Sequence, residues 1–418
     1  MSLAIVTMIC KAAGSFAYDS KNDLDAEKQR NRRSDSLVLV DLFNSTGGNN
    51  WENKTGWLTN RPLNEWYGVT VVNDGVVRLA LSYNRLTGSV PESIGSFSKL
   101  EILTLSDNQL TGNVPETIGN LSELTYLDLD RNGLREIPES IGNLSKLDNL
   151  TMSSNRLTKI PESIGNLSKL NLLNLGHNQL KEVPSSIGNL SNLSRLDLSS
   201  NQLRVIPETI GNLSELEVFV LSNNQLTRIP TSIGNLSSLN YLDLDGNQLR
   251  EIPTSIGNLS NLIRLDLSKN QLAKIPSSIG NLSNLRYIYL PHNQLTDIPE
   301  LMGNLSNLAR LDLDHNKLTK IPESITELSS LTRLDLHGNQ LSRIPESIGN
   351  LANLTRLDLD DNQLSGSIPT SMGDLYNLTS LGLSGNRLSG TVPDKLLKFA
   401  GGVCPQKGTK FSNLNCSR

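Results

Sequence analysis

The sequence is poor in the residues from which large cores are built. Of 418 residues only 4% are aromatic, and 37% are hydrophobic of any kind. A globular core of this size draws on large rings, whereas a stack of thin aliphatic layers does not need them. Cysteine is nearly absent, with Cys10, Cys404 and Cys416 the full set. That excludes a cysteine-rich scaffold, and two neighbouring thiols alone do not fill a tetrahedral metal shell. No apolar run approaches about 18 residues, so no membrane-spanning helix is encoded. The net charge is −4, which leaves no global basic field for nucleic acid. Catalytic signatures are missing too: there is no glycine-rich phosphate loop, HExxH, GxSxG elbow or kinase set. The expectation is a non-enzyme with no cofactor and no metal.

What is abundant is repetition. The pattern LxxLxLxxN occurs fourteen times, its asparagine running from Asn84 to Asn386 at intervals of 24, 24, ten of 23, and 24 residues. In "LTRLDLHGN" (331–339), Leu334 and Leu336 alternate with Asp335, which is the period of a strand. Gly338 and Asn339 then turn the chain. The asparagine is expected inside, its amide bonding backbone groups of its own and adjacent turns. "QLSRIPESIGNL" (340–351) returns Leu341, Ile344, Ile348 and Leu351 to the core, and Pro345 suits the first position of a short helical turn. One unit buries too little apolar surface to offset the entropy of ordering it, so the units must stack.

The pattern resembles that of leucine-rich repeat proteins over residues 36–400 or so. The resemblance implies an α/β repeat solenoid: a curved horseshoe with a parallel sheet on its concave face and short helical or 3-10 turns on its convex face. Units reading "LTGSVP" (86–91), "LTGNVP" (110–115), "LSGSIP" (364–369) and "LSGTVP" (388–393) resemble the plant-type extracellular subclass. Inner units such as "LTKIP" (157–161) resemble subclasses common in intracellular scaffolds.

The expected organisation follows. Residues 1–17 read as a signal peptide, with a disordered leader as the alternative. Residues 18–35 are a flexible polar segment, and 36–75 an N-terminal cap holding Trp51, Trp57 and Trp66. "EWYGVTV" (65–71) resembles the plant cap without its cysteines, and the segment looks like the Trp-rich caps of protist and algal relatives. Repeats fill 76–392. A C-terminal cap, 393–418, carries "DKLLKF" as a helical turn and Cys404 and Cys416 as a disulfide, stabilising by about 3 kcal/mol at best.

Nine units carry "GNLS", a glycosylation sequon, from Asn120 to Asn304. Its leucine is a core position, and later units break the sequon while keeping that leucine, as in "GNLA" (349–352). The motif is first a device that shapes the convex turn. Asn44 and Asn53 are the isolated glycosylation candidates.

The opposite face therefore holds the candidate binding positions. The row before the second leucine includes Tyr126, Tyr241, Arg264, Tyr287, Arg310, Arg333 and Arg356. The row after it includes Tyr289, Asp312, Asp335 and Asp358, and His177, His292, His315 and His337 lie where the chain leaves the strand. These fifteen residues form the candidate ligand surface. The Arg and Asp ladders have two readings: a self-paired, solvated sheet face, which the repeat alone would produce, or a charged footprint for a polar partner. Asp314, Asp360 and Asp361 join Asp312, His315, Asp335, His337 and Asp358 in a patch where a hard cation such as Ca²⁺ is conceivable, but the repeat explains the acidity without one. The expected function is recognition of a protein, peptide or glycan by a monomer, secreted or at the cell surface. A structural or adhesive cell-wall protein and a cytoplasmic signalling scaffold are the alternatives.

Overall fold

The computed structural model of the chain describes residues 34–399 and the short strand Lys410–Phe411. The expected leader and the Cys404–Cys416 pair lie outside the described residues. The chain divides into two compact units, residues 1–170 and 171–418.

The first unit opens on a helix over residues 34–45, which buries Val38, Leu39, Leu42 and Phe43 along one stripe. Gly47 leaves it in left-handed backbone at φ 68°. The three tryptophans gather against Phe43, with neighbouring ring centroids 4.7–6.0 Å apart. Each indole N–H finds a backbone carbonyl: Trp51 donates to Thr46 (3.1 Å), Trp57 to Tyr67 (2.9 Å) and Trp66 to Arg61 (3.2 Å). An antiparallel pair, Val69–Val72 with Gly75–Ala80, starts the sheet. Parallel strands Ile102–Thr104, Tyr126–Asp128 and Asn149–Thr151 continue it.

The second unit repeats one coil. Three-residue parallel strands follow in chain order from Leu172–Asn174 to Ser380–Gly382, each in register with the next. Arg264 stands opposite Tyr287, and Arg310 opposite Arg333, which stands opposite Arg356. The rows read from the sequence are therefore real columns on one sheet face. The inward leucines are buried, as expected for Leu331, Leu334, Leu336, Leu341, Ile348 and Leu351.

Three devices hold one coil on the next. The asparagine is the first. Asn247 donates to the carbonyls of Leu221 (3.0 Å) on the preceding coil and of Leu244 (3.1 Å) and Asp245 (3.3 Å) on its own. Its Oδ1 accepts the Leu226 N–H at 3.0 Å. The glycine of the back turn is the second: a Cβ on Gly257 would lie 2.4 Å from the carbonyl oxygen of Ser278 on the next coil. Third, the residue before each asparagine takes a left-handed φ whatever its side chain, as at Tyr83, Arg131, His292 and His315. Its N–H then reaches the next coil, as His292 to the Asp314 carbonyl at 3.0 Å.

The back turns are five-residue 3-10 turns such as Glu346–Asn350. Pro345 does not occupy the first turn position expected for it. It precedes the turn in extended backbone (φ −59°, ψ 141°), where its carbonyl accepts the Ile348 N–H at 3.1 Å and closes the turn. The 24-residue units also differ in structure. Their added glycines, Gly88, Gly112, Gly366 and Gly390, all have positive φ and support a second set of short strands, such as Thr87–Gly88 beside Gln109–Gly112.

Candidate functional site

The sheet face of the second unit brings together Tyr241, Arg264, Tyr287, Tyr289 and Arg310 from four successive strands, Tyr241–Asp243 to Arg310–Asp312. The Arg264 guanidinium sits 5.1 Å from the Tyr241 ring centroid and 4.7 Å from that of Tyr289. The Arg310 guanidinium, on the following strand, lies 4.9 Å from the Tyr289 ring centroid. Guanidinium planes and phenol rings thus alternate along the sheet, held by cation–π attraction. Asn240, Tyr241, Ile263, Arg264, Tyr287 and Tyr289 line a shallow recess of about 330 Å³. Ile263 and Asn240 were not singled out from the sequence. The signal was there for Ile263, an aliphatic at a column otherwise mostly polar, and it is exposed.

The Arg–Asp ladder is graded. Arg310 grips Asp312 through two nitrogens, with Nη2 to Oδ2 at 2.6 Å and Nε to Oδ2 at 2.9 Å. Arg333 reaches Asp335 at 3.0 Å and Asp312 at 3.5 Å. Arg356 meets Asp358 at 3.4 Å, and Arg264 meets Asp266 only at 3.6 Å. Asp312 and Asp335 are buried, so the middle of the ladder is less solvated than the repeat alone suggested. Bonding to Asp312 raises the Arg310 pKa above its ordinary value. Burial raises that of Asp335, against the hydrogen bond from Arg333. At the tyrosine end, burial pushes the Tyr241 hydroxyl up to about 12, helped by the charge of Asp243, to which it donates at 3.3 Å.

The other sequence candidates fall elsewhere. Tyr126 belongs to the first unit, where burial, then the charges of Asp128 and Asp130, raise its pKa. His177 is flanked on the next coil by Ser200 in the same turn position, so it has no aromatic neighbour there. His292, His315 and His337 do come together, with ring centroids 4.4 Å apart for the first two and 4.9 Å for the last two. Asn44 is exposed at the end of the helix, whereas Thr46 of its sequon is buried and donates to the Leu42 carbonyl at 2.6 Å. Asn53 is half-buried, its side-chain oxygen accepting the Thr55 N–H at 3.0 Å. The asparagine of each "GNLS" is exposed and its leucine buried. Among the described residues no helix is long and apolar enough to cross a membrane.

The family described as the leucine-rich repeat region matches residues 79–178, 139–227, 231–312 and 276–400. Among solved structures, a leucine-rich repeat protein of Leptospira interrogans is 33% identical, with 81% of this chain and 84% of that one covered and a TM-score of 0.70. The plant peptide hormone receptor RGFR1, in complex with RGF2, is 30% identical over 81% of this chain and 62% of that one, with a TM-score of 0.55. The chain thus spans less than two thirds of that receptor's length. The Arabidopsis receptor kinase HAESA, in complex with the peptide hormone IDA and the co-receptor SERK1, is 27% identical over 90% and 78%, with a TM-score of 0.53. No curated protein matches the chain. With the asparagine ladder, the in-register strands and the family match in agreement, the chain belongs to the leucine-rich repeat proteins, and its fold is their repeat solenoid.

Proposed function

We propose that this chain is a non-catalytic recognition module that holds an extended peptide, or a segment of a protein, against the sheet face of its second unit. The observation that carries the reading is the recess between Tyr241, Arg264, Tyr287 and Tyr289. Rings and a guanidinium supply rigid contact area with polar tips, the composition of interface anchors. Arg264 holds its own aspartate only at 3.6 Å, against 2.6 Å for Arg310, so its donors are open to a partner's carboxylate or carbonyl. Arg310 and Arg333, tied to buried carboxylates, serve the sheet itself. The likeness to receptors crystallised with peptide hormones supports a peptide ligand and an extracellular setting.

The test is selection of displayed random peptides on the purified chain. Enriched peptides are expected to lose at least tenfold in affinity for Arg264→Ala combined with Tyr289→Ala, about 1.4 kcal/mol or more. They are expected to keep it for Arg195→Ala, a row residue far from the tyrosines in sequence. Equal binding to the chain and the double variant overturns the reading.

A further inference from the structure

The described residues hold two clusters in which three imidazole or carboxylate ligand atoms lie within 4.8 Å of one another: His292 with Asp314 and His315, and His337 with Asp358 and Asp360. They differ in what else occupies their atoms. Asp358 is approached by Arg356 at 3.4 Å, and Asp360 accepts the Ser384 N–H at 2.6 Å, so that cluster offers one imidazole and two engaged carboxylates. The first cluster offers two imidazoles. Its carboxylate, Asp314, contacts His315 Nδ1 at 2.9 Å, and the nearby lysines turn elsewhere: Lys269 to Asp245 at 3.4 Å and Lys317 to Gln294 at 3.4 Å.

The backbone presents the two rings together. His292 and His315 occupy the same left-handed turn position on successive coils, at φ 54° and 52°. Their N–H groups are pinned to the next coil, His292 to the Asp314 carbonyl (3.0 Å) and His315 to the His337 carbonyl (2.8 Å). The rings stack with centroids 4.4 Å apart and planes 27° from parallel. One coil on, the turn position is Gly338, where a Cβ would lie 3.4 Å from His315 Cδ2, and the neighbour of the His315 ring on that coil is His337, with centroids 4.9 Å apart.

We propose that His292, His315 and Asp314 bind a divalent transition-metal cation of the zinc class at the rim of the sheet face. Two imidazoles and one carboxylate select Zn²⁺, Ni²⁺ or Cu²⁺ over Ca²⁺, which takes oxygen shells. At metal–ligand distances near 2.1 Å a tetrahedral shell needs ligand atoms roughly 3.4 Å apart, and rotation of two exposed rings brings atoms already within 4.8 Å of one another to that spacing. Asp314 either completes the shell with water or orients His315 through Nδ1, leaving Nε2 for the ion. This site replaces the hard-cation patch considered from the sequence, because Arg310, Arg333 and Arg356 engage the ladder carboxylates Asp312, Asp335 and Asp358.

Calorimetric titration of the full chain with ZnCl₂ tests it, with CaCl₂ as the parallel titrant. One zinc per chain is expected, with micromolar affinity, and no comparable calcium signal. His292→Asn and His315→Asn should each weaken zinc at least tenfold, asparagine being suited to left-handed backbone. His177→Asn, at the same turn position without a neighbouring imidazole, should leave it unchanged. Melting temperatures within about 2 °C of the parent show that the variants remain folded. Zinc binding that is absent, matched by calcium, or unaffected by both His292→Asn and His315→Asn overturns the proposal.

Discussion

At the scale of the residue, the repeated asparagine does the most for this chain. Asn247 is buried, and removing its amide strands the Leu226 N–H inside the stack, while the Leu221 carbonyl keeps only its bond from Asn224. Each unsatisfied buried group costs about 1–3 kcal/mol. Asn247→Ala is therefore expected to destabilise by about 1–3 kcal/mol in urea unfolding. Asn261→Ala removes a bond of similar length, Nδ2 to the Ser237 carbonyl at 2.8 Å, but the site is exposed and water replaces it. Its cost should stay below about 1 kcal/mol. Equal costs at the two sites would mean that burial does not set the asparagine's role. The residue before the asparagine teaches the opposite lesson about legibility. Tyr83, Arg131 and His292 share one left-handed conformation but no chemistry, so nothing in their letters announces it. The bond each N–H makes to the next coil imposes the conformation.

At the scale of the element, the back turn is where the repeat was most legible and where one detail was misplaced. The glycine of "SIGN" is required because the next coil's serine carbonyl fills the place of a Cβ. Gly257→Ala should cost about 1–3 kcal/mol, as overpacking does, read as a lower urea midpoint. Thr326 shows the exception. It stands where other coils have glycine, and its Oγ1 donates to the Glu323 carbonyl at 2.7 Å and meets the Ser347 hydroxyl at 2.9 Å. Thr326→Ala should cost no more than about 1.5 kcal/mol, the worth of those bonds. Strands, core leucines and the asparagine ladder followed from spacing alone, because each coil repeats the same burial. Proline's place did not, since a residue just before a short turn and one just inside it give the same spacing. The recognition recess was half legible. Rows of Tyr and Arg were visible, but which arginine is committed to its aspartate depends on side-chain packing, and Arg264 at 3.6 Å and Arg310 at 2.6 Å read identically as "RLD".

At the scale of the molecule, the same "LDL" letters give carboxylates of unequal environment, and the sum of these sets the response to pH. Burial raises the pKa of Asp130, Asp243, Asp335 and Asp360 above the ordinary 3.8. A hydrogen bond from the Ser232 N–H lowers that of Glu208. For a raised carboxylate the folded chain keeps its proton after the unfolded chain has released it. Stability from these groups is then present below 3.8 and is lost as pH rises through the folded value, while Glu208 acts in the opposite sense. With Asp35, which burial also raises, five raised groups stand against one lowered group, so the carboxylates contribute more stability at acid pH than at neutrality. The carboxylate contribution to the melting temperature is expected to fall as pH rises above 3.8 toward neutrality. Asp130→Asn isolates one contribution, because an amide oxygen can still accept the Ser153 N–H that the carboxylate accepts at 2.5 Å. That variant should melt higher than the parent at pH 7 and converge with it toward pH 4, measured by circular dichroism at both pH values. A variant that melts lower at pH 7, or by a constant offset at every pH, would show that the Asp130 charge is compensated by its hydrogen bonds rather than strained by its burial.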